Sequence, residues 1–128
     1  MARRIPLGCL YCFGDFEMSD KPYDPNKAVD YILANAGKFA AAKAQRVYLE
    51  EFRKSKKALL MSECTEKAVN AREQYAYAHA DYQALLMGLR EAIEIEEDLK
   101  WKLTAAQIRV DIWRSQEASN RGQDRTMR

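Results

Sequence analysis

A hydrophobic repeat with a period of 3.5 residues runs through the second half of this 128-residue chain. Its a and d positions are Ala71, Tyr75, Ala78, Tyr82, Leu85, Leu89, Ala92, Glu96, Leu99, Leu103, Ala106, Val110 and Trp113. Only Glu96 is neither apolar nor tyrosine. Such a sustained repeat predicts a long helix whose seam is buried against another helix. Asp81 can cap a new helix and break the repeat near His79, but the heptad phase continues across this point, which favours one helix or a mild kink.

The first half of the chain predicts a second long helix. Asp24 and Pro25 form a typical N-cap and first-turn pair, so we expect a helix from Pro25 to about Met61, with Gly37 as the place for a bend. No proline or glycine lies between Lys38 and Met87. A short break capped by Ser62 or Thr65 follows. The sequence therefore predicts an all-α fold of long antiparallel helices, either a helical hairpin or a three-helix arrangement, with a coiled-coil-like seam.

The expected helix lengths bear on assembly. A helix from Thr65 to Ala118 would be about 80 Å long at ~1.5 Å per residue, much longer than a compact globule of this size. Two such helices bury little surface alone, and Trp101, which lies off the main seam, needs a further cover. Both points favour a homo-oligomer, whose assembly depends on the seam, including Leu99 and Leu103. The alternative is a monomeric three-helix bundle that breaks at 79–81.

The domain organisation is simple. We expect a flexible lead over 1–24, one helical domain over 25–120 and a frayed tail over 121–128. Residues 1–17 are interpreted as a translated extension ahead of a start at Met18. The lone C-x-x-C of Cys9 and Cys12 lacks the second pair or histidines of a zinc site. Three cysteines and no apolar run of about 18 residues favour a cytoplasmic protein without a membrane span.

Charge alternates along the chain. Residues 38–57 hold seven basic and two acidic side chains, 62–98 hold three and nine, and 100–128 hold seven and three. At about 100° per residue, one face of the first helix is apolar and is predicted to be its buried stripe. Its members are Ala41, Tyr48, Phe52, Ser55 and Leu59. The basic residues lie opposite or on the flank, as a candidate phosphate-binding face formed by Lys43, Arg46, Arg53, Lys54, Lys56 and Lys57. Neutralisation by the acidic second helix is the alternative interpretation of this face.

Catalytic and metal sites find little support in the sequence. His79 is the single histidine, which excludes most histidine-based catalysis, and no Gly-rich phosphate loop is present. The carboxylates from Glu91 to Asp98 lack the Glu-x-x-His motifs of di-iron bundles. We therefore expect no enzyme, no metal and no cofactor.

Three segments resemble the UvsY family of phage recombination mediators. They are "GKFAAAKAQRVYLEEFRKSKKALLM", "AREQYAYAHADYQALLMGLREAI" and "LKWKLTAAQIRVDIWRSQEASNR", within residues 27–120. The resemblance implies a phage-encoded, ring-forming helical protein that binds single-stranded DNA and helps to load a RecA-like recombinase onto strands coated by a single-strand-binding protein. It places the DNA-contacting motif at Lys54, Lys56 and Lys57, with different flanking spacing, and assembly at Val110, Ile112 and Trp113.

Two hypotheses of function follow. The first is a non-enzymatic single-stranded DNA-binding mediator, held to phosphates by the basic face through mainly electrostatic, sequence-independent contacts. The second is a phage or bacterial coiled-coil interaction or assembly factor that does not bind nucleic acid, in which the basic face docks an acidic partner.

Overall fold

The computed structural model describes residues 24–127 of the chain. Within this range it contains three helices, α1 (Pro25–Glu63), α2 (Val69–Ala78) and α3 (Ala80–Thr126), and no strand. The prediction of an all-α fold is confirmed, and of the two predicted arrangements, a helical hairpin or three helices, the chain has three helices. The predicted start at Met18 and the pair Cys9 and Cys12 lie outside the described residues.

Helix α1 begins where the sequence predicts. The carboxylate of Asp24 accepts a hydrogen bond of 2.9 Å from the backbone N–H of Asn26, and Pro25 occupies the first turn. This cap satisfies one of the N–H groups that the first turn leaves without a partner. A single helix then continues through Gly37 to Glu63, over about 58 Å at ~1.5 Å per residue.

The connection between α1 and α2 differs from the prediction. Neither Ser62 nor Thr65 caps α2, because its N-cap residue is Ala68 and makes no side-chain cap bond. Ser62 still belongs to α1, and its hydroxyl donates to the carbonyl of Leu59 at 2.6 Å. Since the side chain is occupied within its own helix, it cannot cap the next one.

The predicted continuity of the second helix is wrong at His79. This residue has an extended backbone (φ −65°, ψ 139°) that ends α2 and starts α3. Its Nδ1 accepts from the backbone N–H of Asp81 at 3.1 Å, so His79 rather than Asp81 is the N-cap of α3. The side-chain amide of Gln83 donates to the carbonyl of Tyr77 at 2.8 Å and satisfies the end of α2.

The heptad seam is confirmed within α3 and fails within α2. Every predicted seam position from Tyr82 to Trp113 is buried or half-buried. In α2, however, Ala76 is fully buried, and of the three predicted positions Ala71 is half-buried while Tyr75 and Ala78 are exposed. The break at His79 resets the phase, because an extended residue does not conserve the 100° rotation of a helical one.

Helices α1 and α3 are antiparallel. Arg46 on α1 contacts Glu96 on α3, whereas Lys56, farther along α1, pairs with Asp81, which lies earlier on α3. All three helices meet at the closed end of this hairpin, where Leu60, Ala76 and Tyr82 form the buried core. Helix α3 continues through Thr126, into the tail that the sequence predicted to be frayed.

The buried face of α1 is not the predicted one. Its inner line has the same 3.5-residue period and consists of Ala28, Ile32, Asn35, Phe39, Ala42, Arg46 and Leu49, all buried or half-buried. In the predicted stripe, Tyr48 is 60% exposed and Leu59 is 54% exposed, Ala41 and Ser55 are exposed, and only Phe52 is half-buried. Among residues 24–127, no helix has the length and apolar character needed to cross a membrane.

Candidate functional site

The basic face of α1 is largely paired with carboxylates. Four of its six residues make ion pairs, which are Arg46 with Glu50 and Glu96, Lys54 with Glu51, Lys56 with Asp81, and Lys57 with Glu73. Three of these pairs cross from α1 to α2 or α3. The basic stretch of α1 thus lies against the acidic stretch of the other two helices, and the two stretches form ion pairs within one chain.

Arg46 is held between two glutamates in the helix interface. Its Nη1 donates to both Glu50 carboxylate oxygens at 2.9 Å, and its Nε donates to Oε2 of Glu96. Glu96 is buried, with 7% of its surface exposed, on the inner line of α3. The hydrogen bonds that Arg46 donates to Glu96 first, and to Glu50 second, raise the pKa of Arg46. This guanidinium faces α3, so it is not part of an outward phosphate site.

Lys57 links α1 to α2. Its Nζ lies 2.9 Å from Glu73 Oε1 and 4.7 Å from the centre of the Tyr77 ring. Tyr77 first, and the hydrogen bond to Glu73 second, raise the pKa of Lys57. An ammonium held over an aromatic face and against a carboxylate is a fixed structural contact. Lys57 therefore helps to hold α1 against α2.

Lys43 and Arg53 are the outward remainder of the basic face. Both are exposed, and no ion pair among residues 24–127 involves either of them. Between them along α1 lies Tyr48, whose ring is stacked on that of Phe52 with centres 5.8 Å apart and planes 7° apart. The sequence predicts that both rings are buried in the core, whereas Tyr48 is 60% exposed.

Helix α3 carries an outward apolar line, of which the sequence predicted only Trp101 and Ile112 to contact a partner. It contains Trp101, Ala105, Ile108 and Ile112, at spacings of four, three and four residues, on the side opposite the buried seam. Trp101 is 66% exposed, and Ile108 and Ile112 are each about half exposed. A second heptad line with this spacing can be read from the sequence. The prediction used only the inner seam, because that repeat is longer.

Helix α1 also carries exposed apolar side chains away from its inner line. Leu33 is 72% exposed, and Val29, Val47, Tyr48 and Leu59 each have at least two-fifths of their surface exposed. Both long helices of the hairpin therefore present apolar side chains to solvent on their outer sides. Single exposed apolar residues are ordinary, but repeated ones at helical spacing are typical of a contact surface.

The residues predicted for oligomerisation divide between two faces. Leu99, Leu103, Val110 and Trp113 are half-buried on the inner line of α3. Of the five, Ile112 alone lies on the outward line, and it is 52% exposed. The inner four therefore contribute to the seam within one chain, and Ile112 is available to a partner.

The acidic stretch of α3 contributes to the fold and its surface. Glu91, Glu94 and Asp98 lie on the exposed side, and Asp98 accepts from Lys102 at 2.7 Å. Among the described residues, no group of three or more His, Cys, Asp or Glu side chains is arranged to hold a metal ion. Cys64 is a half-buried free thiol.

No protein-family model, curated protein or solved structure matches this chain.

Proposed function

We propose that this protein is a non-enzymatic assembly factor, a helical hairpin that associates with further copies of itself through apolar lines on the outside of its two long helices. The observation that carries this proposal is the line of Trp101, Ala105, Ile108 and Ile112 on the exterior of α3. Burial of apolar surface is the main driving force of protein association.

The pairing of charges supports an assembly factor over a phosphate-binding one. A face that binds nucleic acid by charge needs cations that are available to phosphates. Arg46 and Lys57 are instead engaged in contacts between helices. Of the six cations of the basic face, only Lys43 and Arg53 make no ion pair among residues 24–127.

A single-stranded DNA-binding recombination mediator is the second candidate. Lys43 and Arg53 are exposed, and Tyr48 offers an exposed ring next to Phe52. Cations along a helix combined with aromatic rings are the means by which sequence-independent single-strand binders hold DNA. In this candidate function the protein acts as a homo-oligomer alongside a RecA-like recombinase and a single-strand-binding protein.

One pair of measurements separates the two candidates. Sedimentation velocity over a wide range of protein concentration tests assembly, and fluorescence anisotropy of a labelled single strand at low and high salt tests DNA binding. The assembly factor requires oligomers and no DNA binding at low salt. Absence of oligomers at every concentration contradicts it.

DNA binding with a strong salt dependence would favour the mediator. With two phosphates neutralised by Lys43 and Arg53, log affinity falls against log salt with a slope of about −1.4 per protomer. The double substitution Lys43→Ala and Arg53→Ala should then remove this dependence. Arg90→Ala, an exposed cation on α3, is the matched control and should leave it unchanged.

A further inference from the structure

Helix α1 carries an exposed apolar line with the same spacing as the outward line of α3. Its members follow one another at intervals of four, three and four residues, and they are Val29, Leu33, Ala36 and Ala40. All four are exposed, Leu33 to 72%. The line from Trp101 to Ile112 on α3 has the same intervals. Because side chains at these intervals lie on one side of a helix, two helices that carry them can pack along the whole of both lines.

Opposite charges continue the two lines. Lys43, three residues after Ala40 on α1, is an exposed cation, and Glu94, seven residues before Trp101 on α3, is an exposed carboxylate. Among residues 24–127, neither of them makes an ion pair. Around Glu94, the side chains of three further carboxylates are exposed, which are Glu91, Glu97 and Asp98. The α1 line of one copy therefore complements the α3 line of another copy in spacing and in charge.

We propose that the α1 line of one copy docks on the α3 line of a second copy, with the two helices antiparallel. This inference rests on the proposed assembly function and names the two surfaces that meet. Because unlike surfaces meet, a docked pair still has one free α1 line and one free α3 line for further copies. A contact between two α3 lines would instead use the same surface twice and end at a dimer.

The antiparallel direction gives the large side chains of α3 suitable neighbours. With the lines aligned, Leu33 lies opposite Ile108 and Ala40 lies opposite Trp101 of the second copy. The indole then meets a shallow surface of small exposed residues, which are Ala36, Gly37, Ala40 and Ala44. A Cβ added at Gly37 would meet no atom within 4 Å, so this surface is open in the single chain.

The charges favour the antiparallel direction over the parallel one. In the antiparallel alignment, Lys43 lies between Trp101 and Glu94 of the second copy. A parallel alignment of the same lines would place Lys43 opposite Ser115 and would leave Glu94 beyond the first residue of α1. Opposite charges that meet across an interface favour the correct register, and unmatched ones oppose it.

A mixture of two one-sided variants tests whether unlike surfaces meet. Leu33→Glu disables the α1 line, and the double substitution Trp101→Glu and Ile108→Glu disables the α3 line. Each variant alone should associate at least about tenfold more weakly than the wild type in sedimentation velocity, because a charge would be buried in the contact. An equimolar mixture should form a 1:1 dimer that does not grow, since the mixture retains one intact surface of each kind.

Charge reversal tests the alignment without changing the apolar lines. Lys43→Glu and Glu94→Lys should each weaken assembly by about fivefold at low salt, because like charges then face each other. Both substitutions in one chain should restore assembly to within about twofold of the wild type. Lys38→Glu is the matched control, since Lys38 is an exposed cation rotated by about 140° from Lys43 on α1.

The results separate a failure of this pairing from a failure of the assembly function. Circular dichroism first checks that each variant retains its helicity, as expected for exposed positions. If the wild type assembles but Leu33→Glu assembles equally well, or if the mixture forms no dimer, the pairing of α1 with α3 is overturned and the assembly function stands. A wild type that stays monomeric at every concentration contradicts the assembly function and this inference together.

Discussion

Arg46 of α1 and Glu96 of α3, fifty residues apart in sequence, form an ion pair on the inner lines of the helical hairpin. Glu96 is the one charged residue of the heptad seam, and Arg46 is the one charged residue of the inner line of α1 from Ala28 to Leu49. Any register in which these two residues do not meet leaves a carboxylate in the seam without its guanidinium. We therefore expect the pair to favour the antiparallel register in which the two side chains meet.

We expect the Arg46–Glu96 pair to behave non-additively. Arg46→Met and Glu96→Leu should each lower the melting temperature, because each leaves one charge in the interface without its partner across the seam. The double substitution should recover most of the loss, since apolar residues of similar size fill the seam. Thermal unfolding of the four proteins measures this coupling.

The exposed pair Lys54 and Glu51 is the control for this cycle. Both side chains are about two-thirds exposed, and surface pairs of this kind contribute little to stability. Lys54→Met and Glu51→Leu should therefore act almost independently. Equal coupling in the two pairs would contradict a special role for the inner pair.

Leu60 and Leu59 provide a matched comparison of core and surface. Leu60 is 1% exposed in the cluster with Ala76 and Tyr82, whereas its neighbour Leu59 is 54% exposed. Leu60→Ala should cost about 2–5 kcal/mol in the free energy of unfolding because it leaves a cavity. Leu59→Ala should change it by about 0.5 kcal/mol or less. Chemical denaturation measures both, and similar losses would mean that the closed end of the hairpin is packed differently.

The cap at His79 should be measurable by substitution. His79→Ala removes the acceptor for the N–H of Asp81, so we expect a loss of about 0.5–2 kcal/mol in the free energy of unfolding, typical of a lost N-cap. His79→Asn keeps an acceptor and should retain most of the stability. If the two variants are equally stable, the imidazole is not the group that caps α3.

Assembly through α3 predicts a defect that leaves the fold intact. Trp101→Glu combined with Ile108→Glu places charges on the outward line, where desolvation opposes burial. Sedimentation should then show smaller species at unchanged helicity, because neither residue is in the seam. Leu33→Glu, at an exposed apolar position of α1, tests whether the outer side of α1 contributes to the contact as well. Unchanged assembly in the α3 variant would exclude this line as the contact.

The contacts of Lys57 predict how the free energy of unfolding changes at alkaline pH. The pKa of Lys57 is raised in the folded state, through Tyr77 and then Glu73. A raised lysine pKa contributes stability that is fully present below the unfolded value of about 10.4 and is lost as the pH rises through the folded value. The wild type should therefore lose more stability above about pH 10.4 than Lys57→Met does. If the melting temperatures of the two proteins fall equally with pH across this range, the contact of Lys57 with Tyr77 and Glu73 is contradicted.

The sequence by itself determined the helical class, the start of α1 and the seam of α3. Each of these depends on neighbours along the chain. Asp24 and Pro25 fix the first turn of α1 locally, and the repeat from Tyr82 to Trp113 places its apolar residues on one side of any helix that it forms.

Only the tertiary structure decided which side of α1 is buried and what its charges do. Helix α1 carries more than one apolar line, and the line that packs is the one that brings Arg46 to Glu96, a contact that no local pattern encodes. The cations Lys56 and Lys57 appear as a free basic face in the sequence, because their partners Asp81 and Glu73 become neighbours only when the chain folds back. Periodicity describes a single helix, whereas register and charge pairing are properties of two helices in contact.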